Sequence, residues 1–219
     1  MDDLNPCDES VGQRKTSEQS DNAVAKTQEL PRVFPDVSAK DNETAVESEA
    51  AFQAGQDKVL EMIAANAPLD EILTSLVLLM EAQSHEMLCS VLLLSEDGDH
   101  IRHGAAPSLP EEYVKAVDGA PIGPKNGSCG TAMWRGKPVI VTDVLTDPLW
   151  DDYRDLASGS GLGACWSTPI LTATGKVLGS FAMYYREPRA PTGAEARLTE
   201  VATRLAGKAI EHQNARSKG

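Results

Sequence analysis

Two short apolar runs, Ala164–Leu171 and 176–185, stand only a few residues apart, with Thr172-Ala173-Thr174-Gly175 between them. A gap that short, ending in glycine, joins antiparallel strands. A parallel crossover needs a dozen residues or more. The same pattern occurs upstream: a mostly apolar run over 90–95, the turn signal Glu96-Asp97-Gly98-Asp99, and a returning run over 100–105. Two hairpins imply an antiparallel sheet. Helical periodicity then brackets them. Phe52, Val59, Leu60 and Ile63 share one face, and Asn66-Ala67-Pro68 breaks that helix. Leu69, Ile72, Leu73, Leu76 and Met80 form a second stripe. Leu198, Val201, Leu205 and Ala209 form a narrow stripe on the last helix. Short helices are expected over 110–117 and 128–135, a strand over 138–144, and a helical or irregular segment over 150–157. The pattern is α+β, an antiparallel sheet flanked by helices.

The charge is unevenly spread. Residues 1–50 hold 12 Asp/Glu against 5 Lys/Arg, and no Trp or Tyr. Such a segment lacks the apolar surface to offset its ordering entropy, so it reads as an acidic, disordered tail, with a short local helix allowed over 41–50. Residues 51–219 then form the folded domain. The whole chain carries a formal net charge of −13. That surface repels phosphate backbones and anionic lipid, so nucleic-acid and membrane partners are not expected. No apolar run reaches the roughly 18 residues of a membrane span, and the N-terminus lacks a secretory signal. A cytoplasmic protein is expected. Cys7, Cys89, Cys129 and Cys165 show neither paired nor zinc-like spacing and read as free thiols.

Three motifs lie in order along the domain: Asn126-Gly127-Ser128-Cys129-Gly130-Thr131-Ala132, Asp147-Pro148-Leu149-Trp150-Asp151-Asp152-Tyr153-Arg154, and Ala164-Cys165-Trp166-Ser167-Thr168-Pro169-Ile170. Together they resemble a subgroup of the bacterial GAF domain, a sensory module. Gly179, Phe181 and Tyr184-Tyr185 fit the final strand of that subgroup. The resemblance implies a five- or six-stranded antiparallel sheet with helices on one face. It implies a pocket on the other face, roofed by short helices and loops. It also implies first and last helices that pack together, often within a homodimer, and pass a ligand signal to an output domain. The chain given ends at Lys218-Gly219 without an output segment, so the expectation is either a separate signalling partner or a piece of a longer protein.

The pocket candidates are Ser128, Cys129, Trp150, Tyr153, Arg154, Trp166 and Ser167. Gly127 and Gly130 allow close approach, and a helix starting at Ser128 could hold an anion on its free N–H groups. Ser128 could equally serve as that helix's own N-cap. Cys129 at a helix start would have a lowered thiol pKa and could sense oxidants, or simply pack. Trp150, Tyr153, Arg154 and Trp166 could wall a planar or anionic small molecule, or form a lid. Trp166 and Ser167 point to opposite sides of a strand, and either side could face the pocket. His100 and His103 fall on opposite strand faces, which argues against shared metal ligation. Asp151 and Asp152 read as a solvated helix start.

In free methionine-R-sulfoxide reductases, another GAF family, a further cysteine precedes the last hairpin. Residues 150–160 have none, so the catalytic thiol is missing. Neither the cyclic-nucleotide nor the chromophore signature of other GAF groups is evident. The leading expectation is a non-enzymatic sensor of a small molecule, with no metal and a cofactor the sequence does not name. The alternatives are a thiol sensor or reductase-like enzyme using Cys129, and a ligand-free interaction scaffold.

Overall fold

The computed structural model describes residues 39–217, with side chains from residue 46. Most of the expected acidic tail therefore lies outside the described residues. Helix α1 (Ala39–Ala64) begins inside the stretch read as tail and continues without a break through the first apolar stripe. Asn66, at φ 58°, ends the turn after α1, and Pro68 precedes α2 (Leu69–Glu81). The hairpin β1 (Leu88–Leu94) and β2 (Ile101–Ala105) follows. Then come α3 (Glu111–Val117), α4 (Gly127–Arg135) and the short strand β3 (Val139–Val141). A 3-10 turn (Pro148–Tyr153) runs into α5 (Arg154–Gly159). The second hairpin is β4 (Ala164–Leu171) and β5 (Val177–Tyr185), and α6 (Gly193–Arg216) closes the order.

The sheet order is β2-β1-β5-β4-β3, and each neighbouring pair is antiparallel. The two hairpins meet where β1 pairs with β5, so β5 is the central strand. Close passage there requires glycine: a Cβ on Gly179 would lie 2.1 Å from the Leu92 carbonyl oxygen. At the end of α4, Gly136 takes φ 61°, the left-handed C-cap that glycine adopts without steric cost.

Strand alternation sorts the side chains to two buried faces. Cys89, Val91, Ala164, Trp166, Ile170, Phe181, Met183 and Tyr185 face α1, α2 and α6. From α2, Ile72, Leu73, Leu76, Val77 and Met80 are buried there, each contributing about 1.5–3 kcal/mol through apolar burial. On the other face, Leu92, Cys165, Ala182 and Tyr184 meet Tyr113, Cys129, Met133, Trp150 and Ala157. A sheet buried on both sides explains why its strands read as apolar runs rather than as clean alternation.

The end helices touch. Arg204 Nη2 donates to Gln56 Oε1 at 3.3 Å, His212 Nε2 lies 2.8 Å from Asn66 Oδ1, and Arg216 Nη1 donates to the Asn66 carbonyl at 3.4 Å. Helix α6 starts with a capping box. Thr192 accepts from the Glu195 N–H, and Glu195 accepts from the Thr192 N–H at 2.7 Å.

Candidate functional site

The floor of the site is the sheet face opposite α1, α2 and α6. Ladder register sets its rows. Ser90, Ala182 and Ser167 lie side by side across β1, β5 and β4. Tyr184 and Cys165 form the row on one side of it, and Ser180 stands on the row on the other side. Small side chains at the centre of a sheet leave room above it. Ser90 Oγ and Tyr184 Oη pair at 3.1 Å, and Tyr184 Oη is 3.5 Å from Cys129 Sγ. Tyr113 packs edge-on against Tyr184, with centroids 5.7 Å apart. Ser167 and Ser180 are fully buried, yet among the described residues their hydroxyls have no hydrogen-bond partner. A buried hydroxyl without a partner is destabilising and so calls for an explanation.

The wall is the first turn of α4. Ser128 is buried, and its Oγ donates to the Cys165 carbonyl at 3.1 Å. The same oxygen accepts from Trp150 Nε1 at 3.0 Å. This corrects the N-cap reading, because Asn126 occupies the cap position and Ser128 joins helix, strand and lid instead. The lid is the 3-10 turn. Asp147 caps it by accepting from the Leu149 N–H at 2.8 Å, which aims Trp150 inward. Trp150 is buried and meets Tyr153 edge-on, with centroids 6.4 Å apart. Between lid, α3 and α4 lies a cavity of about 20 Å³, bordered by Tyr113, Ser128, Cys129, Trp150 and Tyr153. That holds about one water-sized molecule.

Among the described residues no charged side chain is buried on this face, and the buried carboxylate, Glu195, belongs to α6 on the other side. The electrostatics are instead those of thiols and hydroxyls. Hydrogen bonding with Cys165, helped by the Tyr184 hydroxyl, favours the thiolate of Cys129 and outweighs the cost of burial, lowering its pKa to about 7. Burial and the neighbouring Cys129 push the Cys165 thiol up. Burial likewise raises Tyr113 and Tyr184. The two thiols are therefore unlike: one is poised to ionise and the other is held protonated.

Of the residues expected at the site, Ser128, Cys129, Trp150, Tyr153 and Ser167 lie on this side of the sheet. Two do not join them. Trp166 faces the helices, 4.7 Å from the Tyr185 ring, with its Nε1 donating to the Arg189 carbonyl at 3.2 Å. Strand parity forces this once Ser167 faces Cys129. Arg154 turns outward to an ion pair with Asp151, and its Nε is buried without a partner among the described residues. It does not line the cavity. Sequence reasoning missed Tyr113, Cys165, Ser180 and Tyr184. Alternation from Ser167 would have found Cys165; Ser180 and Tyr184 needed strand register, and Tyr113 the packing of α3 on the sheet. His100 is exposed beside Asp97, 2.8 Å away, and among the described residues no group of three or more His, Cys, Asp or Glu side chains could hold a metal ion. Those residues also include no helix long and apolar enough to cross a membrane. A second concavity of about 350 Å³ opens at the sheet end between His85, Glu86, Arg186 and Arg189. Its Arg189 is engaged by Glu195 at 3.0 Å and lies 4.3 Å over the Tyr185 ring.

A five-stranded antiparallel sheet with the end helices on one face and a roofed site on the other defines a small α+β domain fold. The chain belongs to the GAF domain family, whose model matches residues 66–211. It is 42% identical over 160 residues to the methyl sulfide methyltransferase-associated sensor of Methanosarcina acetivorans. That match covers 73% of this chain and only 16% of the relative. Among solved structures, the GAF domain of a Coxiella burnetii phosphoenolpyruvate-protein phosphotransferase aligns with TM-score 0.61 at 17% identity, covering 77% of this chain and 97% of that one. A domain of a Sinorhizobium meliloti two-component sensor histidine kinase protein gives 0.56 at 24% identity, with coverages of 69% and 99%. The free methionine-R-sulfoxide reductase of Neisseria meningitidis gives 0.57 at 15% identity, with coverages of 76% and 92%. At these identities the likeness is one of fold.

Proposed function

We propose that this chain is a non-enzymatic, cytoplasmic sensory domain. It takes a small, uncharged, hydrogen-bonding molecule on the sheet face beneath Trp150, and it signals through α1 and α6 to a partner, as a homodimer. One observation carries the reading: Ser167 and Ser180 present buried hydroxyls with no partner among the described residues, on the side where the cavity lies. A ligand supplies their missing hydrogen bonds. The lack of buried charge there argues for an uncharged ligand, since a buried unpaired charge is costly. The cavity of about 20 Å³ is too small for a metabolite, so binding requires the lid to move. The name of the relative, a sensor, and the packing of α1 on α6 support the signalling part.

Native mass spectrometry on gently purified protein tests it by reading subunit count and retained mass together. The expected result is a dimer carrying a discrete extra mass that is lost in Ser167→Ala/Ser180→Ala. A mass that persists unchanged in that double variant would refute this site. Supplying candidate small molecules and finding no thermal shift in any of them would refute the small-molecule reading.

A further inference from the structure

We propose that Cys129 and Cys165 form a thiol–disulfide couple, with Cys129 the nucleophile, Cys165 the resolving thiol, and a small peroxide the oxidant. The geometry sets the pair. Cys129 lies on the first turn of α4, and Cys165 points from β4 to the same side of the sheet. Ser128 ties the two elements together by donating to the Cys165 carbonyl. Tyr184 sits directly beside Cys165 in the ladder, and its hydroxyl is 3.5 Å from Cys129 Sγ. The groups around the Cys129 sulfur are Tyr184 of β5, in contact with it, and Cys165 of β4 in the same buried cluster, with Ser167 and Ser180 nearby but not hydrogen-bonded to it. Tyr113 of α3 stands behind Tyr184. All are neutral donors, which favour a thiolate and burial of an uncharged oxidant. The unequal pKa shifts agree with the division of roles.

Access sets the substrate class. Cys129 borders the cavity, whose volume of about 20 Å³ leaves space for about one water-sized molecule and so favours a small oxidant. The Cys129 thiolate attacks one peroxide oxygen, an S–O bond forms, and the O–O bond breaks. The departing hydroxide takes a proton and leaves as water, giving a sulfenic acid on Cys129. The Cys165 sulfur then attacks the Cys129 sulfur, and S–S replaces S–O. The hydroxyl leaves as a second water with the Cys165 proton. Two thiols lose two electrons and peroxide gains two. The product would staple α4 to β4 beneath the lid. This couple does not depend on the ligand reading above.

The test is stoichiometric hydrogen peroxide at pH 7 on the full chain, followed by intact mass and non-reducing peptide mapping. Mapping is essential because Cys7 and Cys89 are also present. The wild type should lose the mass of two hydrogens and yield a linked Cys129–Cys165 peptide pair. Cys165→Ser should instead gain one oxygen atom at Cys129, a sulfenic acid read by intact mass and trapped by dimedone on unfolding. Cys129→Ser should react roughly tenfold slower or worse, the ratio expected for replacing a half-ionised thiol by an ordinary one. Buried Cys89, on the other face, is the internal control. Cys129→Ala and Cys165→Ala repeat the comparison, with circular dichroism confirming the fold. Cys129 reacting no faster than Cys89, or a linked pair other than Cys129–Cys165, overturns the couple. A negative result leaves the retained-ligand measurement unaffected, since that reads a bound mass and this reads thiol connectivity.

Discussion

Removing a hydroxyl from this protein should make it more stable. Ser180 is fully buried on β5, the central strand, and its Oγ has no hydrogen-bond partner among the described residues. Desolvating a hydroxyl without compensation costs about 1–3 kcal/mol. Ser180→Ala removes that cost and leaves a void of about one oxygen atom, worth a few tenths of a kcal/mol by the volume dependence of cavity creation. The β-propensity loss is small beside this, because a strand position this crowded is decided by packing. The net expectation is a gain of about 1 kcal/mol. Ser167→Ala should give a similar gain, since Ser167 is equally buried and unpartnered. Urea unfolding followed by far-UV circular dichroism measures both, with an unchanged m-value as the check on two-state behaviour. A stabilising mutation that abolishes binding is the signature of a polar group kept for function. Destabilisation by 1 kcal/mol or more in either variant would refute the reasoning, since it would mean the hydroxyl is satisfied in the folded protein.

The lid latch is testable by a double-mutant cycle. Trp150→Phe and Ser128→Ala should each cost about 2 kcal/mol, and the pair should fall short of additivity by about 1 kcal/mol because they share one hydrogen bond; additivity within about 0.3 kcal/mol would remove the latch. Gly179→Ala should cost about 3 kcal/mol or abolish folding, read by expression and thermal melt, since its Cβ would collide with the Leu92 carbonyl. Two pH effects follow with opposite slopes. Cys129, depressed to about 7, has fewer protons folded than unfolded between pH 7 and its ordinary range near 9, so stability should rise over that window, and Cys129→Ser should flatten it. Above that window the trend reverses, because burial raises Cys165, Tyr113 and Tyr184, which stay protonated in the fold.

Residues near each other in sequence told most of the fold. The β4 bounds follow from the apolar run, and the Thr172–Gly175 turn sets the hairpin. Helix α1 is harder to read, because its first turns are rich in polar residues and carry no apolar period; residues 46–51 are all exposed. The site was half legible. Ser128, Cys129 and Trp150 fall within motifs, but their hydrogen bonds join elements 22 and 37 residues apart. Trp166 drew attention for its size, yet parity places it on the helix side with Tyr185. Ser180 carries no local signal at all. Its meaning comes only from the register that sets β5 between β1 and β4.

The central strand also supplies a short route for the proposed signal. Tyr184 and Tyr185 are consecutive on β5 and point to opposite faces. Tyr184 touches Cys129, while Tyr185 Oη donates to Glu195 Oε1 at 2.6 Å. Glu195 closes the α6 capping box and accepts from Arg189. Burial opposes its ionisation, but the hydrogen bonds from Tyr185 and Thr192 win and hold its carboxyl below the ordinary range. A ligand that shifts Tyr184 must therefore carry Tyr185 with it, and that displacement reaches the start of α6. Its effect is limited to the ligand's differential affinity for the two arrangements. Tyr185→Phe keeps the ring but removes the donor, so it should cost about 1.5–3 kcal/mol for a bond to a charged acceptor. Ligand affinity should change little. Hydrogen exchange at the first turns of α6, which ligand should alter in the wild type, should become insensitive to ligand in Tyr185→Phe. If exchange in α6 still responds fully, the signal passes by another path.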